Sequence, residues 1–176
     1  MASTQATHAS RRILLPVSNG FIVLTFLAAL LANLIPFGRL PGIPDWLALT
    51  LVFWCIHQPL KVGMGTGFVL GLAMDVVDAS VMGQHSLAYA LLAYAATGLS
   101  RRILWFPLSQ QALHVWPMLF VMQLVMMVAR MAGGADFPGV LWFLSSVTAA
   151  LLWYPVTHLL LLPQFQSADK DVNRPI

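Results

Sequence analysis

The chain has 176 residues, 59% hydrophobic and 9% charged, with no glutamate and a formal net charge of +3. An average soluble domain carries about 25% charged residues; with a mean hydropathy of +0.81, this composition excludes an ordinary soluble globule and describes a polytopic membrane protein. The nine Lys and Arg lie scattered at the ends of apolar runs, which excludes a nucleic-acid footprint and reads as membrane topology.

Six apolar segments follow in chain order, at 16–35, 43–58, 62–80, 86–100, 112–132 and 138–162. They predict one all-α domain over 1–176, a bundle of six transmembrane helices. The start, Ser10-Arg11-Arg12-Ile13-Leu14-Leu15, is shaped like a twin-arginine or secretory signal; with five further spans behind it, it reads as an uncleaved first span whose arginines fix the inner end. Pro36, Gly38, Pro41, Gly42 and Pro44 punctuate the first loop. The second span opens at Asp45-Trp46 and holds Cys55, the single cysteine, as a small buried hydrophobe. The second and fourth spans are short for a hydrocarbon core of about 30 Å.

The third span carries the most distinctive pattern, Gly63, Gly67, Gly71 and Asp75 at intervals of four. Each step of four overshoots a helical turn by about 40°, so the residues form one slowly drifting stripe. Small residues on a stripe let another backbone approach closely in lipid. The stripe either packs within this bundle or receives a second protein. The fourth span ends in Arg101-Arg102-Ile103-Leu104-Trp105-Phe106, basic anchors mixed with large apolar side chains, suited to anionic lipid at the interface or to a cytoplasmic partner. Pro117 in the fifth span and Pro155 in the sixth predict kinks or breaks. Gln123 is the polar side chain deep in the fifth span, placed for a hydrogen bond to a neighbouring helix.

Orientation follows from charge. Arg11, Arg12, Lys61, Arg101, Arg102, Lys170 and Arg174 fall on one side, Arg39 and Arg130 on the other. The positive-inside rule then places both termini in the cytoplasm. Fourteen residues of helix beyond Lys61 carry Asp75 about 21 Å across the membrane, to the height of Asp45 and Arg130. Three readings of Asp75 stay open: an ion pair with Arg130, or a polar cluster with Asp45 and Arg39; a solvated acid reaching the interface; a ligand or ion site. The five histidines have no metal-ligand spacing, and the default for His57, His85, His114 and His158 is an interfacial or capping role. No nucleophile, zinc or paired-acid motif points to an enzyme.

Taken in order, Pro44-Asp45-Trp46, the run Gly65-Thr66-Gly67-Phe68-Val69-Leu70-Gly71-Leu72-Ala73-Met74-Asp75, then Gly83 and a leucine-rich helix from Leu87 to Tyr94 closely resemble the rod shape-determining MreD family. The likeness is strongest over 43–95 and extends to Gln110-Gln111-Ala112 before the fifth span, to length and to span count. It singles out Pro44, Asp45, Gly67, Phe68, Gly71, Asp75 and Gly83 as the residues of the family pattern. It implies a non-catalytic, cofactor-free scaffold of the bacterial inner membrane, at work in cell-shape maintenance and lateral peptidoglycan synthesis. The implied partners are membrane lipid, a bitopic MreC-like protein and, indirectly, the MreB filament and a glycan polymerase and transpeptidase pair, without nucleic acid. The implied fold is that of the substrate-binding subunits of energy-coupling-factor transporters, which keeps a second function open: a lipid- or small-molecule-binding subunit of a membrane transporter.

Overall fold

A computed structural model describes residues 17–35 and 42–164. Among these there are seven α-helices and no strand: α1 (Asn19–Leu34), α2 (Trp46–His57), α3 (Met64–Val77), α4 (Gln84–Ile103), α5 (Leu108–Ala132), α6 (Leu144–Leu151) and α7 (Trp153–Leu161). A helix falls on each of the six apolar segments. The sixth is divided into a 3-10 turn at Val140–Phe143, α6, α7 and a closing 3-10 turn at Leu162–Gln164. Its two halves bend by 43° at Leu152. Pro155 accounts for the position, since without an N–H it cannot bond the carbonyl of Leu151, the last residue of α6. Pro117 does not have that effect: α5 continues through it for 25 residues.

By length and composition, α5 can cross a bilayer, and the bent pair of Val140–Leu151 and Trp153–Gln164 can form one further crossing. Helices α1, α2 and α3 are apolar but shorter, about 24, 18 and 21 Å at 1.5 Å per residue. The shortness of α2 has a structural reason. Every side chain from Leu47 to Ile56 is buried, so α2 is wrapped by protein all round, as a uniformly apolar helix should be. A helix enclosed in this way need not match the hydrocarbon thickness. Cys55 lies within it, fully buried.

Around α2 stand α1, α4, α5 and α7. Trp54 of α2 donates from Nε1 to Thr25 Oγ1 of α1 at 2.8 Å and meets the edge of Phe21. The most extensive pairing is between α3 and α4, which run antiparallel from a six-residue turn at 78–83. On the far side, Gln111 of α5 accepts from Trp153 Nε1 of α7 at 3.4 Å and donates to the carbonyl of Phe106. Thr148 of α6 donates to the carbonyl of Gly42, tying the sixth segment to the entrance of α2.

Candidate functional site

The stripe on α3 faces α4. A Cβ on Gly71 would stand 2.3 Å from Ser86 Cα, one on Gly67 would stand 2.5 Å from the carbonyl oxygen of Tyr89, and one on Gly63 would meet Thr97 Cγ2 at 3.9 Å. The contact is therefore backbone against backbone at Gly71 and Gly67 and opens towards Gly63. The surface that close-packing glycines could offer to a second protein is occupied by this chain's own helix at those two positions. Phe68 lies on the other side of α3 and is exposed, with Met64, Val69 and Val76.

At the tight end of this pairing stands Asp75, 2% exposed. Of the readings left open for Asp75, the ion pair with Arg130 is not formed, and Arg39 of the alternative cluster lies outside the described residues. Asp75 instead closes the start of α4. Its Oδ2 accepts from the backbone N–H of Gly83 at 3.0 Å and of Ser86 at 3.3 Å. Its Oδ1 accepts from the N–H of His85 at 2.7 Å and from Ser80 Oγ at 3.2 Å, and lies 2.9 Å from His85 Nδ1. The first residues of any helix leave N–H groups without intrahelical partners, and a carboxylate is favoured there by the helix dipole as well. Gly83, the N-cap of α4, has no side chain to supply the bond. Asp75 supplies it from the preceding helix, so backbone N–H groups satisfy most of a buried acid's acceptor capacity.

The turn between the helices is built for this. Ser80 N–H bonds the carbonyl of Asp75 and Ala79 N–H that of Val76, the two bonds of a Schellman ending. Ala79 takes the left-handed position at φ 47°, where glycine is the usual residue, and Gly83 follows at φ 105°.

Asp45 plays the matching part for α2. It is the N-cap, accepting from Ala48 N–H at 3.0 Å, from Asn33 Nδ2 of α1 at 2.9 Å and from the hydroxyl of Tyr89 of α4 at 2.5 Å. Asn33 Oδ1 takes the N–H of Trp46. Pro44 precedes this cap, half-buried beside a small cavity. Tyr89 meets the edge of His85 at 6.0 Å between centroids, so the Asp45 and Asp75 clusters touch through two side chains one turn apart on α4.

His85, Tyr89 and Asn33 were not singled out by the sequence, which left His85 as an interfacial histidine. His85 is buried, with Nε2 3.4 Å from Asp78 Oδ2 and Nδ1 on Asp75. One signal for it was available: His85 and Tyr89 share an α4 face, four residues apart, directly after the Gly83 turn.

Two adjoining cavities open beside the cluster. The larger, about 490 Å³, is lined by Asp78, Ser80, Gln84, His85, Arg130 and Trp142 among others. The smaller, about 190 Å³, reaches Asn33, Asp45, Gln123 and Ser145 and shares Asp78, His85, Met126 and Trp142 with the first. Gln123 Nε2 donates to Ser145 Oγ and to the carbonyl of Trp142, the expected link to the next helix, while its Oε1 has no partner among the described residues. Arg130 is an exposed residue on the rim of the larger cavity and forms no ion pair among the described residues. The arrangement binds helix ends together and presents a polar cleft of mixed charge.

The family profile described as rod shape-determining protein MreD matches residues 11–162. The curated rod shape-determining protein MreD of Haemophilus influenzae is 30% identical over 137 residues, which cover 76% of this chain and 81% of that protein. No solved structure matches the chain.

Proposed function

Since the chain belongs to the rod shape-determining MreD family, with the role in rod shape determination that membership implies, we propose that it acts as a non-catalytic scaffold of the cell-elongation machinery. It sits in the bacterial inner membrane with six spans and both termini in the cytoplasm, and it docks a bitopic MreC-like protein in support of lateral peptidoglycan synthesis. The observation that carries the scaffold reading is the use of the two acids of the family pattern. Asp75 puts both oxygens on the start of α4, and Asp45 caps α2 with Oδ1 while binding Asn33 of α1 and Tyr89 of α4, so both acids hold helix ends together.

Charge placement supports the orientation. Lys61, Arg101 and Arg102 lie where the start of α3 meets the end of α4, and Arg130 lies at the opposite end with the acids. With Gly67 and Gly71 engaged by α4, the partner's transmembrane helix is assigned to an outward apolar face, of which the Phe68 side of α3 is the part within the family pattern.

Cross-linking from single cysteines along α3, with the MreC-like protein co-expressed, tests the docking. Adducts are expected from Phe68 and Val69 and none from Gly67 or Gly71. Failure of the two proteins to co-purify, or adducts spread evenly round the helix, would refute the docking. A second reading, a small-molecule-binding subunit, is favoured by the cleft of Asp78, His85, Gln84 and Arg130. It predicts a tightly held polar compound released from purified protein on denaturation and lost in His85→Ala with Arg130→Gln.

A further inference from the structure

In the half of the molecule away from the acids, α4 and α5 are joined by a four-residue connection at 104–107. Between them runs a groove of about 450 Å³, its walls made by Leu91, Leu92, Ala95 and Leu99 on one side and by Leu113, Pro117, Val121 and Val125 on the other. Its surface is almost wholly apolar, and the polar groups that line it, Arg102 and His114, both lie at one end. From Leu91 to Arg102 the groove follows α4 for about 16 Å, close to half of a hydrocarbon core of about 30 Å. It therefore has the depth of one leaflet.

The charged end is marked as an interface by its neighbours. Trp105 is 90% exposed directly after α4, and an exposed Trp beside basic residues is the usual occupant of the headgroup level. Among the described residues neither Arg101 nor Arg102 is in an ion pair, and the described acids, Asp45, Asp75, Asp78 and Asp136, all belong to the other end of the helices. Pro117 shapes the wall. It withholds the N–H that would bond the carbonyl of Leu113, so α5 has a weakened turn where the groove is lined by both residues.

We propose that this groove is a seat for an anionic phospholipid, one acyl chain lying between α4 and α5 and the phosphate on the Arg102 guanidinium. The proposal rests on the membrane reading above and adds to it a lipid class and a leaflet, the one that the orientation places on the cytoplasmic side. The guanidinium forms paired hydrogen bonds to the phosphate oxygens that any phospholipid carries, and net charge selects the headgroup, because an anionic lipid brings no cationic group against Arg102. The added negative charge of an anionic lipid is not opposed by any described acid at that level. Length selects a chain confined to one leaflet over a helix crossing both.

The test uses the full chain in phosphatidylcholine vesicles, with trace spin-labelled phosphatidylglycerol or spin-labelled phosphatidylcholine as probes. Wild-type protein is expected to immobilise at least twice as much of the phosphatidylglycerol probe as of the phosphatidylcholine probe. Arg102→Gln, an exposed substitution that leaves the packing intact, brings the two to equality. Ala95→Phe fills the groove and lowers both, and Arg130→Gln at the far end keeps the preference. Equal immobilisation by the wild type, a preference that survives Arg102→Gln, or one lost equally in Arg130→Gln would overturn the seat. Ala95→Phe releasing a co-purified helical protein with lipid counts unchanged would also overturn it and assign the groove to a partner. No immobilised lipid of either kind would overturn the membrane reading itself, a result distinct from immobilisation without headgroup preference.

Discussion

Among the described residues, Asp75 gathers the most side-chain hydrogen-bond partners: five donors converge on it, and three of them are backbone N–H groups at the start of α4, from its N-cap Gly83 and from His85 and Ser86. Asp75→Ala strands those N–H groups in a buried site, each costing about 1–3 kcal/mol when unpaired. His85→Ala removes one donor and leaves the cap. Thermal unfolding in detergent should therefore show a large loss for Asp75→Ala and a clearly smaller one for His85→Ala. Since Arg130 is no partner of Asp75, the double exchange Asp75→Arg with Arg130→Asp should be no better than its worse single change. Ala79 offers a gain: left-handed backbone costs an L-residue roughly 1–2 kcal/mol relative to glycine, so Ala79→Gly should raise the unfolding temperature. Gly134 at φ 88° fills the corresponding position after α5, where no such gain is available. At this scale the sequence disclosed an acid that must be sheltered, but not its shelter. The donors are backbone N–H groups, which every residue has, so no side-chain pattern could announce them.

The pairing of α3 with α4 is the element on which the glycine stripe acts, and it predicts a graded series. Gly71→Ala drives a Cβ into the backbone of Ser86 and Gly67→Ala one into the carbonyl of Tyr89, overpacking that typically costs about 1–3 kcal/mol. Gly63→Ala meets only ordinary contact, and Gly65→Ala meets nothing within 4 Å, so helix propensity should make it neutral or stabilising by up to about 1 kcal/mol. Unfolding temperatures should rank Gly65→Ala above Gly63→Ala, then Gly67→Ala, then Gly71→Ala. A flat series would mean that the helices can separate to admit the methyl groups. The interval of four was legible as a stripe. Which helix it meets was not, because a close-packing face has the same sequence whether its neighbour is the next helix of the chain or another protein's. The sixth segment shows the converse: Pro155 announced its bend, whereas Pro117, an equal signal in sequence, leaves α5 in one piece.

For the molecule as a whole, the two ends differ in chemistry. Acids, caps and the polar cleft gather at one, while exposed arginines and Trp105 mark the other. In a Cys55→Ser background, Met82→Cys and Trp105→Cys place thiols at exposed positions of the two ends. An impermeant maleimide added to intact spheroplasts should label the first and reach the second only after permeabilisation. The reverse pattern would invert the proposed orientation. The apolar fraction, six segments and asymmetry of the basic residues carry the membrane reading without any coordinates, since they depend on composition along the chain.

Local chemistry was therefore settled by the sequence alone: helices on the apolar runs, a close-packing stripe on the third, an acid that tolerates no hydrocarbon, and a family pattern from Pro44 to Gly83. Tertiary structure decided the partners. It joined Asp75 to the start of α4, Asp45 to Asn33 and Tyr89, and Gly67 and Gly71 to the backbone behind His85. The physical reason is that helix propensity and hydropathy are sums over neighbours in sequence, whereas caps and close crossings depend on where a helix ends in space.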